Sequence, residues 1–150
     1  MREDVLRRFF LAEVGVGRLA DDVSGSVTHL NHVESTVVIE DMEVSFRLTR
    51  EHVLLLCAAG LSNELNSEAL TVIAFALLAS DRFEWDDDVV SETLQDWSCP
   101  EINFPMNADT LRMHRSWLTA SIEPPNRPNL PSPRSGRLIS VRRKVSPQIG

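Results

Sequence analysis

A chain of 150 residues with 43% hydrophobic and 25% charged side chains has room for one domain with a real core, and the composition is that of an ordinary globular protein. The longest apolar run, 69–79 broken only by Thr71, is too short to span a bilayer, and Met1-Arg2-Glu3-Asp4 sets two acids ahead of any apolar stretch, so neither a membrane span nor a signal peptide is expected. The net charge of -7 divides unevenly: residues 1–122 hold 9 Lys/Arg against 21 Asp/Glu, a net of -12, and residues 123–150 hold 6 against one, a net of +5.

An acidic body repels nucleic acid and attracts basic partners. Cys57 and Cys99 are the only cysteines, too few for a disulfide framework, so a reduced, cytoplasmic protein is expected.

In chain order, residues 2–14 read as a helix with Val5, Leu6, Phe9, Phe10 and Ala12 on a broad apolar stripe. Gly15 and Gly17 break it, and Val16, Leu19, Ala20 and Val23 then repeat at helical spacing. Residues 36–48 change period. They read as two strands about a tight turn at Asp41-Met42, with Val44, Phe46 and Leu48 alternating against Glu43, Ser45 and Arg47. Residues 27–33 are a candidate third strand. Thr49 is placed to cap a helix over 50–60, and Gly60 sits where a C-terminal cap belongs. Asn66 or Ser67 caps a helix running to about Ser80 that is apolar nearly all round, which marks it as the central buried one.

Asp86, Asp87 and Asp88 precede a helix whose Val90, Leu94 and Trp97 share one face, leaving Glu92, Gln95 and Asp96 outward. Acids at a helix start complement its dipole by about 0.3–1 kcal/mol each. One cap does not need three aspartates, and the surplus asks for a function. Pro100 and Pro105 stiffen the connector that follows. Asn107 or Asp109 caps a last helix to about Leu118, with Leu111, His114, Trp117 and Leu118 near one face. Six of the eight prolines lie beyond Ile122, so residues 123–150 read as a flexible Pro/Arg/Ser-rich tail behind a single acidic domain over 1–122. The expected fold is α+β and mostly helical, about five helices around the buried 67–80 helix, with a β-hairpin over 36–48 packed alongside.

Glu84, Asp86 and Asp88 alternate as in a calcium loop, yet no glycine follows and Gln95 stands at position 12. His29 and His32 have no cysteine or histidine cluster to complete a zinc site. No metal site and no cofactor are expected. Cys99 is a nucleophile only if the fold brings it to a base such as His114, and Cys57 reads as core. No phosphate loop, Gly-x-Ser-x-Gly or His-Glu-x-x-His motif is present, so catalytic residues are not expected. The cluster Arg142-Arg143-Lys144 lacks interleaved aromatics, which speaks against nucleic-acid binding.

Aromatics beside carboxylates point elsewhere. Phe83, Trp85, Trp97 and Phe104 lie among Glu84, Asp86, Asp87, Asp88, Asp96 and Glu101. Aromatic anchors within charge are what protein–protein hot spots contain, and acidic patches steer basic partners. The candidate binding residues are Glu84, Trp85, Asp86, Asp87, Asp88, Glu92 and Asp96, with Glu101 as rim.

The segments FALLASDRFEWD (75–86), WSCPEIN (97–103) and LRMHRSWL (111–118) resemble a family of small uncharacterised bacterial proteins, over residues 1 to about 120. More distantly, the layout is similar to that of colicin D-type immunity proteins. The shared features are a short helix pair near the N-terminus and an Ala-x-x-Arg-Phe-Glu segment, here residues 79–84, entering an acidic loop. The strands over 36–48 depart from that family's helical bundle. The resemblance implies a cytoplasmic, non-enzymatic inhibitor that covers the basic active site of a toxin or nuclease domain. The alternatives are a small metal-dependent hydrolase using Glu84, Asp86 and Asp88, and a regulatory adaptor acting through the tail.

Overall fold

The computed structural model describes residues 1–29, 34–100, 105–119 and 138–144. Among the described residues there are six helices, α1 (Glu3–Phe10), α2 (Val16–Ser26), α3 (Arg50–Leu61), α4 (Ser67–Ala79), α5 (Asp88–Ser98) and α6 (Ala108–Leu118), and five short strands. These are β1 (Val27–His29), β2 (Glu34–Glu40), β3 (Phe46–Arg47), β4 (Phe83–Glu84) and β5 (Leu138–Lys144). The fold is α+β and mostly helical.

Helix starts follow from short polar side chains that satisfy the first free N–H groups. The Asn66 side chain accepts from Ala69 N–H at 2.7 Å to open α4, and Asn107 accepts from Thr110 N–H at 2.9 Å to open α6. At α3 the histidine serves in reverse, with Thr49 N–H donating to His52 Nδ1 at 3.0 Å. α4 buries Leu70, Val72, Ile73, Ala74, Ala76 and Leu77, more than one face, as a central helix must. Among the described residues no helix is long and apolar enough to cross a membrane.

The first helix stops at Phe10, sooner than its apolar stripe suggests. Ala12 adopts φ 60°, in the left-handed region, and Glu13 N–H reaches back to Arg8 C=O at 2.8 Å. Gly60 is not a cap. It lies inside α3, where an added Cβ would stand 2.7 Å from Leu70 Cδ1 and 2.9 Å from Leu111 Cδ1. Its missing side chain lets α3 approach α4 and α6, while Asn63, at φ 63°, takes the left-handed turn beyond the helix.

The strands over 36–48 form, but they do not pair with each other. β2 runs antiparallel to β1 (Val27↔Val37) and parallel to β5, from Glu34↔Leu138 to Glu40↔Lys144. β3 pairs instead with β4, in parallel, Phe46↔Phe83 and Arg47↔Glu84. The cause lies in what residues 41–46 find outside the expected turn. Met42 N–H donates at 3.1 Å to Oε1 of the buried Glu3, whose other oxygen accepts the Ser80 hydroxyl. Phe46 then joins Phe10 and Phe83, with ring centroids 5.9 and 5.8 Å away. An isolated hairpin is marginal in water, and an aromatic cluster plus a satisfied buried carboxylate outweigh it.

The flexible tail expected over 123–150 is corrected over part of its length, because residues 138–144 form β5 and extend the sheet to the order β1-β2-β5. Leu138, Ile139 and Val141 in that stretch give it the composition of a strand.

Candidate functional site

The acidic segment begins where α4 ends. Ser80 leaves the helix with an extended backbone, and its hydroxyl oxygen accepts the N–H groups of Arg82 and Phe83 at 3.0 and 3.2 Å. Phe83 enters the aromatic cluster and is buried. Strand alternation then turns Glu84 outward to solvent. Trp85 is half-buried and packs against the core.

The three aspartates divide into different roles. Asp86 pairs with Arg47 at 2.6 Å, both well exposed, with side chains 83% and 61% accessible. Asp87 is the N-cap of α5, its Oδ1 accepting Val89 N–H at 2.9 Å. The same carboxylate holds Arg50 through two bonds, Nε to Oδ2 at 2.6 Å and Nη2 to Oδ1 at 3.2 Å. The Arg50 bonds keep the Asp87 carboxyl below the usual aspartate range, and Asp87 in turn raises Arg50. Arg50 also donates to the Trp117 carbonyl at 3.5 Å, so one guanidinium ties the start of α3 to the start of α5 and the end of α6. Asp88, in the first turn, is exposed.

Further along α5 the expected outward face is corrected. Asp96 is 2% exposed, a core residue beside Trp97. Its Oδ2 lies 2.9 Å from Nε2 of the fully buried His114, and Trp97 Nε1–H donates to His114 Nδ1 at 3.3 Å. Indole N–H can only donate, so His114 Nδ1 accepts, and Nε2 carries the hydrogen given to Asp96. The ring of Trp117 meets His114 edge-on at 5.0 Å. Asp96 turned inward because α5 packs on α3, α4 and α6, which makes its buried face wider than the Val90, Leu94, Trp97 line. Glu92 is half-buried, and its Oε2 is screened from solvent without a hydrogen-bond partner. Glu101, the expected rim residue, lies outside the described residues, as do His32 and Phe104.

Of the eight candidate residues, the fold therefore brings Glu84, Trp85, Asp86 and Asp88 together on one accessible segment. Asp87 is its anchor, Glu92 its margin, and Asp96 belongs to the core. Both ring nitrogens of His114 are engaged by Trp97 and Asp96, so the imidazole is not presented to Cys99. Cys57 donates to the Leu111 carbonyl at 3.1 Å, and burial pushes its thiol up to about 11, far from a nucleophile's range. Among the described residues no three His, Cys, Asp or Glu side chains stand close enough to share a metal ion.

Sequence reasoning missed Arg47 and Arg50, which neutralise part of the aspartate run from 39 and 37 positions away in the chain. No local signal announces such a pair. For Asp96 a signal did exist: His114 falls on the inner face of α6, and a buried imidazole requires a polar partner.

Comparison with protein-family models, with curated proteins and with solved structures finds no match to this chain.

Proposed function

We propose that the chain is a non-enzymatic binding protein that offers the segment from β4 into α5 to a basic protein domain, as an immunity-type inhibitor of a toxin or nuclease domain would. One observation carries this reading. Glu84, Asp86 and Asp88 are exposed around the half-buried Trp85, on a segment pinned at one end by buried Phe83 and at the other by the Asp87–Arg50 pair. Charged groups held on a fixed backbone bind with little ordering cost. The Arg47–Asp86 pair is no obstacle, since an exposed ion pair is worth about 0–1 kcal/mol and a partner's cation can replace Arg47. The net charge of -12 over residues 1–122 supplies the long-range attraction. The colicin D-type resemblance in residues 79–84 leads into the same segment. The hydrolase alternative needs Glu84, Asp86 and Asp88 to converge on one ion, and Asp86 is directed to Arg47 instead.

The test is capture of the tagged full chain from its host cell at low salt, followed by a salt ramp. The expected result is one stoichiometric basic partner that salt releases. Its capture should be lost in Glu84→Lys/Asp88→Lys and kept in Glu13→Lys/Asp21→Lys, which changes net charge equally at exposed sites elsewhere. Equal capture by both variants, or no specific partner across repeated captures, refutes the proposal.

A further inference from the structure

Three consecutive residues at the start of α3 make three different bonds. Leu48 N–H donates to the Glu84 carbonyl at 2.8 Å, Thr49 N–H donates to His52 Nδ1 at 3.0 Å, and the Arg50 guanidinium grips Asp87. The first and the third tie the β4–α5 segment to α3. The middle one closes the helix start between them.

That middle bond has a titratable acceptor. In a capping box the third helical residue is glutamate or glutamine, and its oxygen accepts the N-cap N–H in every ionisation state. Here the run Thr49-Arg50-Glu51-His52 places an imidazole at that position. A ring nitrogen accepts only while it carries no hydrogen, so Nδ1 is bare and Nε2 holds the hydrogen of the neutral ring. Protonation puts a hydrogen on Nδ1. Thr49 Oγ1, 3.1 Å away, would accept it, but Thr49 N–H would then point at another N–H. The new charge would also stand in the first turn of α3, at the positive end of the helix dipole.

The surroundings resist that charge. His52 is half-buried, with the ring centroids of Phe10 and Phe46 at 5.2 and 4.9 Å, and burial holds its pKa below the usual histidine value. The two phenyl rings return part of the cost, since aromatic faces attract cations. Glu51 also favours the imidazolium and is the smaller influence. Arg50, on the same turn, is paired with Asp87, and Arg47 of β3 is paired with Asp86. A histidine whose folded pKa is depressed adds stability that is complete above the unfolded value of about 6.5 and is lost as pH falls through the folded one.

We propose that His52 is a proton-sensitive latch on the β4–α5 segment. Neutral, it closes the start of α3 and keeps Leu48 and Arg50 in place for Glu84 and Asp87. Protonated, it releases Thr49 and loosens both attachments. The inference concerns how the segment is held and not what it binds, so it and the proposed function can fail separately.

The test is nuclear magnetic resonance of the isotope-labelled full chain at pH 7.5 and pH 5, a range above the one in which Asp87 titrates. Amide exchange of Leu48 and Thr49 is measured relative to the intrinsic rate at each pH. Protection should fall about fivefold at the lower pH, the weight of one hydrogen bond. At pH 7.5 the His52 ring should carry its hydrogen on Nε2. His52→Gln supplies an acceptor oxygen that does not titrate and leaves the other three histidines unchanged, so it should keep the protection of pH 7.5 at both values. A neutral ring with its hydrogen on Nδ1, or equal protection at the two pH values, overturns the proposal from the parent chain alone. The same loss of protection in His52→Gln overturns it as well.

Discussion

His114→Ala and Asp96→Ala, alone and together, test the reassignment of Asp96 from surface to core. Both side chains are almost wholly buried, at 0% and 2% exposed, and their nitrogen and oxygen stand 2.9 Å apart. Removing the imidazole strips Asp96 of a charge-assisted bond, leaves Trp97 Nε1–H without its acceptor and opens a cavity. Stranding one member of a buried polar pair of this kind costs about 3–5 kcal/mol. Asp96→Ala instead leaves the His114 Nε2 hydrogen unpaired, at about 1–3 kcal/mol. The double variant no longer contains the mismatch, so it should lose less than the sum of the two singles, by about 1.5–3 kcal/mol. For a chain of this size each kcal/mol lowers Tm by roughly 2–4 °C, so His114→Ala should be visible in any melt. The assay is urea unfolding at pH 7, followed by far-ultraviolet circular dichroism and tryptophan fluorescence together. An outward-facing Asp96 would tolerate alanine within about 0.5 kcal/mol. That result, or a cycle additive within about 0.5 kcal/mol, refutes the buried network as the reason Asp96 turns inward.

The Asp87 anchor has a pH signature. Arg50 holds its folded pKa below the unfolded value, so the stability it adds is complete above pH ~4 and is lost as pH falls through the folded value. Asp87→Asn keeps a capping oxygen and loses the charge. Its deficit in urea midpoint against the parent chain should be largest at neutral pH and close as pH is lowered toward 2, and a deficit independent of pH contradicts the ion pair. Asp87→Ala should cost about 1–2 kcal/mol, since it removes the cap as well. Gly60→Ala should raise local helix propensity by about 1 kcal/mol and still destabilise, because its Cβ would press on the buried ends of Leu70 and Leu111 at 2.7 and 2.9 Å. A higher Tm for Gly60→Ala would show that the two leucines swing aside freely. Leu111→Val in the same chain should recover part of the loss.

Much of the helical frame was legible because its signals are local. Asn66, Asp87 and Asn107 announce helix starts within three residues, and the apolar density of 67–79 announces burial on all sides. Strand pairing was not legible, since alternation tells which face is buried and says nothing of the neighbouring strand. β2 and β3 show the consequence: each forms near its expected place, but β2 pairs with neighbouring β1 and distant β5, and β3 with distant β4, not with each other. β5 was hidden by averaging, because Leu138, Ile139 and Val141 sit within a proline-, arginine- and serine-rich stretch. Asp96 was misplaced for a geometric reason. Three apolar positions define a line on a helix, and the width of the buried face around that line depends on how many neighbours the helix has.

The acidic run shows why charge counted along a sequence overstates charge offered to a partner. Asp86, Asp87 and Asp88 are consecutive, yet one pairs loosely at the surface, one caps α5 and is clamped by Arg50, and one is exposed in the first turn of α5. Asp96 is withdrawn into the core, and Glu3 is spent on Met42 and Ser80. What steers a partner at long range is the net charge, which burial and pairing within the chain leave unchanged. If the proposed binding reading holds, what would hold a partner at short range is the smaller set of carboxylates whose neighbours can be exchanged. Glu84, Asp86 and Asp88 meet that condition around Trp85, and Asp87 makes it possible by fixing the backbone on which they stand. Neutralising Asp87 should therefore weaken binding indirectly, through a looser segment and a faster dissociation. Neutralising Glu84 or Asp88 should act chiefly on the association rate and its dependence on salt. Stopped-flow association of the captured partner at two ionic strengths separates the two effects, and identical kinetic signatures for Asp87→Asn and Asp88→Asn would contradict this division of labour.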